Sequence, residues 1–258
     1  MELRPSRVLR KLRAGQPAFC TKTNFGDPRI VEIMGLAGFD CCWLCNEHVP
    51  GDWMPMLAQI NAAKLHDMDT VVRVGKGSYS DFIRPFEGDA TAIMVPHLMS
   101  AAEARDVVRT TKFHPLGRRP VDGGNNDGAY CLIPPADYMA QANRERFVIC
   151  QIEDPEPMAE LEEIAAVPGL DMLFFGPGDY SHALGIPGQY DHPDVVAARR
   201  RVADACRRHG VFAGTVGSVA TVPQLLGEGY RFINIGSDVG LLAKGWSDAV
   251  KALAPYAD

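Results

Sequence analysis

The sequence predicts an α/β protein built as a (β/α)8 TIM barrel. A chain of 258 residues with 47% hydrophobic residues is long enough to bury one large core. Eight short runs of apolar, β-branched or aromatic residues recur along it, with amphipathic segments between them. Apolar strands that alternate with helices indicate a parallel sheet covered by helices, and eight such units in about 250 residues is the size of a barrel. An open doubly wound sheet remains the alternative, since periodicity does not exclude it.

The elements follow one another regularly, with one interruption. In chain order the predicted strands read AFCTKTNF, FDCCWLCNE, DTVVRV, ATAIMVPH, RFVICQIED, DMLFFGPG, VFAGTVGS and FINIGSD. Segments such as DPRIVEIMGLAG, SAAEARDVVRTT, MAELEEIAAV, VVAARRRVADACRRHG and VATVPQLLGEG are predicted helices, because their apolar residues recur three and four positions apart. Residues 113–135 are too rich in Gly, Pro and Asn for an ordinary connection, so we expect this long loop to be functional. No repeat or linker divides the chain, and we expect one domain over residues 1–258.

The composition of the chain indicates which kinds of molecule it binds. A net charge of -6 and a pI near 5.6 argue against nucleic acid, because phosphate binding needs a basic surface. No apolar run approaches the roughly 18 residues that span a bilayer, and the basic N-terminal segment MELRPSRVLRKLRAG lacks an apolar signal core. Seven cysteines, an odd number at low density, fit a reducing compartment. We therefore expect a cytoplasmic protein with no membrane partner and a small-molecule substrate.

The ends of the predicted strands carry the residues suited to chemistry. In a parallel barrel, active sites lie at the C-terminal ends of the strands. The residues at these ends are Glu47, His48, Arg73, Pro96, His97, Gln151, Glu153 and the segment 176–179. A base, a cation and two carboxylates would then face one opening.

Two of these residues form a candidate metal site. Gln151 and Glu153 are two positions apart on a strand and share one face, while Asp179 follows a Gly-Pro-Gly turn that lets the backbone approach an anion. Two carboxylates from neighbouring strands suit Mg2+ or Mn2+, although other divalent ions are possible. Taken singly, Glu153 could instead pair with a lysine or arginine, and Asp179 could cap a helix.

The stretch CCWLCNEH raises the question of a thiol site. Strand alternation places Cys42 opposite to Cys41 and Cys45, and no second ligand pair follows, which argues against zinc. A cysteine–histidine nucleophile pair would need a turn and an oxyanion donor as well. His48 remains as a candidate general base, the alternative being a histidine hydrogen-bonded in a loop. Arg73, at the end of the next strand, could pair with Glu47 or bind a substrate carboxylate and polarise its carbonyl.

A family resemblance rests on seven motifs in this order: GFDCCWLCNEHVPGD, VVRV, ATAIMVPH, FHPLGRRP, CQIED, FFGPGDYS and INIGSD. Over roughly residues 7–250 they resemble the HpcH/HpaI family of class II pyruvate-dependent aldolases. The resemblance implies a (β/α)8 barrel and commonly a homo-oligomer, a hexamer built as a trimer of dimers that swap a C-terminal helix. It also implies metal-dependent cleavage of a 4-hydroxy-2-oxo acid to pyruvate and an aldehyde. We expect the aldehyde part to be contacted by loops such as residues 113–135, of the same chain or of a neighbouring subunit.

The resemblance implies roles for individual residues. Glu153 and Asp179 would bind the divalent ion, with Gln151 beside it. Arg73 would contact the carbonyl of the pyruvyl group, and the backbone of Gly178 and Asp179 would hold its carboxylate.

The resemblance also implies a catalytic base with a partner. His48 would be this base, and its carboxylate partner, from the start of strand four, falls on Glu87. The chain departs from the family pattern in having Cys-Asn-Glu-His where D-G-E-H is usual. It also has Gly-Arg-Arg-Pro at residues 117–120 where G-x-R-G is usual.

Three further interpretations remain open. A barrel that binds a 2-oxo acid or sugar acid without turnover would fit the loss of the usual aspartate. A lyase of the citrate lyase branch would act on acyl-CoA and would favour extra basic residues at the opening of the barrel. The only candidates are Arg118 and Arg119, and the simpler interpretation of this pair is a solvated surface position. A lysine Schiff base could replace the metal, but we expect none of the eight strand segments to place a lysine in its apolar run. The sequence therefore favours a metal-dependent aldolase.

Overall fold

Eight parallel strands close into a barrel in the computed structural model, which describes residues 1–49 and 51–256. The strands are β1 (Ala18–Thr23), β2 (Cys41–Cys45), β3 (Asp69–Arg73), β4 (Ala92–Val95), β5 (Phe147–Ile152), β6 (Met172–Phe175), β7 (Phe212–Gly217) and β8 (Phe232–Ser237). Each strand pairs with the next along the chain, and β8 pairs with β1. Because the sheet closes, the predicted (β/α)8 barrel is confirmed and the open doubly wound alternative is wrong.

Helices follow the strands and cover the barrel. They are α1 (Arg7–Arg13), α2 (Pro28–Leu36), α3 (Trp53–Lys64), α4 (Tyr79–Glu87), α5 (Ala101–Thr111), α6 (Pro135–Glu145), α7 (Leu161–Ala165), α8 (Pro177–Ala183), α9 (Pro193–His209), α10 (Val222–Glu228) and α11 (Asp238–Leu253). Local sequence explains several boundaries: Ser100 caps α5 by accepting the backbone N–H of Glu103, and Gly210 ends α9 in the left-handed conformation. None of the helices described in residues 1–49 and 51–256 is long and apolar enough to span a bilayer.

Two apolar cores lie on the two sides of the strands. The inner core, inside the barrel, includes Cys41, Trp43, Val71, Met94, Ile149, Phe174 and Phe232. The outer core, between strands and helices, includes Cys42, Leu44, Val72, Ile93, Val148, Ile152 and Phe175. Successive residues of one strand alternate between the two cores, as strand geometry requires. The predicted placement of Cys41 and Cys42 on opposite faces is therefore confirmed, and their side chains cannot converge on one metal ion.

The first helix closes the N-terminal end of the barrel. Its buried residues are Val8, Leu9 and Leu12. The hydroxyl of Ser6 donates to Asp69 at the start of β3, at 2.6 Å, and Lys11 pairs with Asp40 just before β2, at 2.7 Å. Substrate therefore has access from the opposite end, which we call the mouth: the C-terminal ends of the strands and the loops that follow them.

The unusual segment 113–135 belongs to the closed end. Lys112 pairs with Asp171, the residue before β6, at 2.7 Å, and Lys64 at the end of α3 donates to Asn126. Within the segment, Arg119 forms a buried ion pair with Asp127 at 2.6 Å. The expectation that this loop contacts substrate is wrong for a single chain. The loop connects α5 to α6 at the closed end of the barrel, which is the end opposite to the mouth. The expected surface position of Arg119 is also wrong, whereas Arg118 is exposed.

The last helix does not pack on its own barrel. In α11 only Asp238, its first residue, is buried. Its exposed large apolar side chains are Val239, Leu241, Trp246, Val250 and Leu253. A shallow apolar groove between α2 and α10 is lined by Phe19, Ala37, Gly38, Phe39, Val219, Val222, Pro223 and Ile235. The chain thus exposes both an apolar helix face and an apolar groove.

Candidate active site and metal centre

Side chains from five neighbouring strands meet at the mouth. They are Glu47 after β2, Arg73 on β3, His97 after β4, Gln151 and Glu153 on and after β5, and Asp179 after β6. Ligand atoms of His97, Glu153 and Asp179 all lie within 4.8 Å of one another. The structure thus brings together the two predicted carboxylates and adds an imidazole.

Glu153 is a buried carboxylate at the base of this cluster. Its side chain is 1% exposed, Oε1 accepts the backbone N–H of His97 at 2.9 Å, and Oε2 accepts from the amide of Gln151. Burial raises the pKa of Glu153 to about 7, the nearby charge of Asp179 adds to the effect, and the His97 N–H opposes it. Among the described residues no lysine or arginine pairs with Glu153, so the ion-pair alternative weighed for it is wrong.

The Gly-Pro-Gly turn brings the second carboxylate to the cluster. A Cβ atom on Gly176 would lie 2.8 Å from Glu153 and 2.9 Å from the amide nitrogen of Gln151, so only glycine fits there. Gly178 and Asp179 follow in the first turn of α8, where backbone N–H groups have no helical acceptor. The cap position of α8 is Gly176 rather than Asp179, which leaves the Asp179 carboxylate free of the capping role considered for it.

His97 is the site residue to which the sequence assigned no role. Its Nδ1 lies 2.8 Å from Oδ2 of Asp154, and its Nε2 lies 3.8 Å from Oε1 of Glu153 and 3.9 Å from Oε1 of Glu47. Burial opposes protonation, but the hydrogen bond to Asp154 and the charges of Glu153, Asp154 and Glu47 outweigh it and raise the pKa of His97. The signal in the sequence was the motif VPH, in which a polar residue ends an apolar run.

Arg73 lies beside the cluster in a fixed position. The residue is 5% exposed, its Nε is 2.9 Å from Oε2 of Glu47, and its guanidinium lies 4.8 Å from the centre of the Trp43 ring. Its Nη2 donates to Sγ of Cys45 at 3.2 Å. The predicted pairing of Arg73 with Glu47 is therefore present.

Cys45 occupies the place of the aspartate usual in the resembling family. Burial raises the pKa of its thiol, but the charge of Arg73 and the backbone N–H groups of His48 and Glu47 prevail and lower it. The Cys45 thiol next to Arg73 is therefore more acidic than an isolated cysteine.

His48 and Glu87 lie at opposite ends of the barrel within one chain. The side chain of His48 is 57% exposed, and its Nε2 is 3.4 Å from Oε2 of Glu47. Glu87 is the last residue of α4, which runs from the end of β3 to the start of β4. It faces Arg119, Asp127 and neighbouring charges at the closed end. The predicted pairing of His48 with Glu87 is therefore wrong within a single chain and requires a second copy.

Lys22 lies inside the barrel and belongs to the first predicted strand, AFCTKTNF, so the expectation that no strand segment carries a lysine in its apolar run is wrong. It belongs to β1, two residues beyond the inward-facing Cys20, and its Nζ lies 5.4 Å from the centre of the Trp43 ring. The ring of Trp43 thus lies close to two cationic side chains, Lys22 and Arg73. The spacing from Cys20 was the available signal, because residues two apart on a strand share a face.

Comparisons with known proteins agree with this geometry. The chain is 32% identical over 245 residues to the hydroxypyruvate/pyruvate aldolase of Pseudomonas aeruginosa, covering 95% of this chain and 91% of the relative. It is 33% identical over 226 residues to the 2-dehydro-3,6-dideoxy-6-sulfogluconate aldolase of Pseudomonas putida, covering 86% and 87%. The crystal structure of an HpcH/HpaI aldolase from Desulfitobacterium hafniense superposes with a TM-score of 0.89 at 29% identity, covering 95% and 96%. The family model HpcH/HpaI aldolase/citrate lyase matches residues 24–245, and the chain belongs to this family.

Proposed function

We propose that this protein is a divalent-metal-dependent aldolase that cleaves a 4-hydroxy-2-oxo acid to pyruvate, or a related 2-oxo acid, and an aldehyde. The observation that carries the proposal is the pair of carboxylates at the mouth, Glu153 and Asp179, with Arg73 fixed beside them. The relatives described above are named as aldolases that act on pyruvate or on sugar acids. The substrate class follows from this combination of site and family.

The residues present fit a divalent cation. Glu153 and Asp179 are carboxylates without a lysine or arginine partner among the described residues, and burial alone makes the charge of Glu153 costly. Oε1 of Gln151 is buried and has no hydrogen-bond donor in the structure. Glu153 and Asp179 would hold the ion, and Mg2+ or Mn2+ suits this oxygen-rich set. Bound there, the ion supplies positive charge that stabilises the negative oxygen of a 2-oxo acid during bond cleavage.

The chain's own residues bind the substrate and move its proton. We assign the carboxylate of the 2-oxo acid to the backbone N–H groups of Gly178 and Asp179, in the first turn of α8, and its carbonyl oxygen to Arg73. His48, exposed at the mouth, accepts the proton of the 4-hydroxyl as the bond between C3 and C4 breaks. The aldehyde leaves, and C3 of the remaining 2-oxo acid gains a proton. In the synthetic direction His48 returns the proton.

We also propose a homo-oligomer that exchanges the C-terminal helix. The exposed apolar face of α11 and the apolar groove between α2 and α10 have matching chemistry, and Trp246 on this face is 66% exposed. Burial of both surfaces in a neighbouring copy would remove them from water. A hexamer, as a trimer of dimers, remains a prediction from the family. The cytoplasmic location and the single domain over residues 1–258 remain predictions from composition and sequence pattern.

The structure disfavours the citrate lyase alternative. Of the two basic residues considered for CoA, Arg119 is buried against Asp127 and lies at the closed end. One loop arginine, Arg118, then remains, and it is not at the mouth of its own chain.

Release of pyruvate tests the proposed function. The purified protein would be incubated with a panel of 4-hydroxy-2-oxo acids and Mg2+ or Mn2+, with and without a chelator, and pyruvate would be measured by a coupled dehydrogenase. We expect metal-dependent release that the chelator abolishes. Binding of 2-oxo acids without release would instead identify a non-catalytic barrel, and cleavage of an acyl-CoA alone would identify the citrate lyase branch.

A further inference from the structure

The position of His97 brings a nitrogen donor to the two carboxylates of the metal site. Its Nε2 is 3.8 Å from Oε1 of Glu153, and the cluster with Asp179 falls within 4.8 Å. Donors at about 2.1 Å from one ion are about 3 Å apart when adjacent and about 4.2 Å apart when opposite. Small side-chain adjustments would therefore bring all three donors onto a single cation.

The ring of His97 is held by its other nitrogen. Nδ1 lies 2.8 Å from the Asp154 carboxylate. A carboxylate on one imidazole nitrogen orients the ring and leaves the other nitrogen as a lone-pair donor, which is the arrangement seen in carboxylate–histidine–metal triads. Asp154 directly follows Glu153 in the chain, so the motif QIED supplies both a metal-site carboxylate and the group that orients this ring.

The backbone of His97 is fixed in a conformation that turns the ring toward the cluster. Its φ is 47°, in the left-handed region that non-glycine residues rarely adopt. Its N–H donates to Oε1 of Glu153 at 2.9 Å, and its carbonyl accepts from Lys76 at 2.7 Å. Such a conformation persists only where surrounding contacts hold it, and these are concentrated at functional sites.

From these contacts we infer that His97 is a third protein ligand of the divalent ion, oriented by Asp154. This inference rests on the metal site of the proposed function. An imidazole ligand favours Mn2+ and Co2+ over Mg2+, because Mg2+ prefers oxygen donors and keeps several waters. The competing explanation is that His97 serves only as a cation paired with Glu153 and Glu47 when no metal is bound.

Pulsed electron paramagnetic resonance of the wild-type protein with Mn2+ separates these explanations without an activity measurement. A directly coordinated imidazole gives a nitrogen coupling in the Mn2+ spectrum. We expect this coupling in the wild-type protein and in His182→Gln, which removes an exposed histidine of α8 and serves as the matched control. We expect its loss in His97→Gln, and its retention in Asp154→Asn, where the ring keeps its donor nitrogen.

Calorimetric titration with Mn2+, Co2+ and Mg2+ gives the second readout. Loss of the imidazole in His97→Gln should weaken Mn2+ and Co2+ about 10- to 100-fold and Mg2+ less, and Asp154→Asn should weaken Mn2+ about tenfold. Circular dichroism would verify that each variant is folded. Mn2+ binding to the wild-type protein that depends on Glu153 but shows no nitrogen coupling would overturn the inference and leave the proposed function standing. Failure of the wild-type protein to bind any of the three ions would overturn both.

Discussion

The Glu153→Gln variant is expected to make the fold more stable while it weakens metal binding at the mouth. In the metal-free protein, burial raises the pKa of Glu153 from 4.5 to about 7. The folded state therefore binds a proton more tightly than the unfolded state does between these two pH values. The free energy of unfolding of the metal-free protein then falls as the pH rises from about 4.5 to about 7 and is constant above that range, as far as this group is concerned.

The size of the effect follows from the same shift. A change of about 2.5 units at about 1.36 kcal/mol per unit corresponds to roughly 3 kcal/mol at pH 8. Glutamine stays neutral at every pH and removes this cost. Its oxygen can still accept the His97 N–H, and the amide of Gln151 can rotate so that its unpartnered oxygen accepts from the new amide group. The variant should therefore keep the hydrogen bonds of the site.

The assay is denaturant unfolding of both proteins at pH 5 and pH 8 in the presence of a chelator. We expect Glu153→Gln to be more stable than the wild type by about 2–3 kcal/mol at pH 8, or about 5–10 °C in Tm, with little difference at pH 5. Adding Mn2+ should stabilise the wild type and not the variant, because the variant lacks one of the two carboxylates. Glu163→Gln, which removes an exposed carboxylate on α7, is the control for loss of one charge.

Two results would refute this reasoning. A variant no more stable than the wild type at pH 8 would show that neighbouring groups compensate the buried charge of Glu153. An equal gain at pH 5 and pH 8 would show that the gain comes from packing rather than from ionisation.

The remaining predictions concern other residues of the mouth and the assembly. His48→Ala should slow cleavage about a hundredfold or more with unchanged Mn2+ affinity, and full activity would remove His48 from the mechanism. Cys45→Asp should move the acidic limb of the pH–rate profile toward higher pH, since an added carboxylate stabilises a protonated base; an unchanged profile places residue 45 outside the reaction. Borohydride with pyruvate should leave Lys22 unmodified, whereas a reduced pyruvyl adduct found there by mass spectrometry contradicts the metal route. Trp246→Glu should shift light scattering toward smaller species, and an unchanged mass argues against exchange of α11.

The barrel and its strands could be predicted because both faces of each strand are buried. Residues of one strand alternate between the inner and outer cores, so the strands read as continuous apolar runs in the sequence. The carboxylates Glu153 and Asp179 were found in the same way, as the residues at which such runs become polar. The position of His97 in this cluster was not predicted, because it depends on a left-handed backbone and on the contact with Asp154. Neither of these follows from spacing along a strand.

The wrong expectations share a topological cause. In a (β/α)8 barrel a residue that ends a helix and precedes a strand lies at the closed end, while a residue that ends a strand lies at the mouth. Glu87 ends α4, and the segment 113–135 follows α5, so both lie at the closed end. The helix α6, which follows this segment and leads to β5, was not predicted, so the sequence did not show that the segment lies before a helix at the closed end.

This topology constrains any site that uses Glu87 together with His48. One barrel holds them at opposite ends, so their contact requires the closed end of one copy to approach the mouth of another. Such a contact joins two different surfaces, and contacts of this kind close into rings or extend into filaments. Exchange of α11 between two copies, by contrast, uses the same surfaces on both and closes as a dimer. A chain that forms both contacts would build a closed assembly larger than a dimer, in which each mouth is completed by a neighbour. In such an assembly, a variant that disrupts only the exchange of α11 should form smaller oligomers that still retain the contact between the closed end of one copy and the mouth of another.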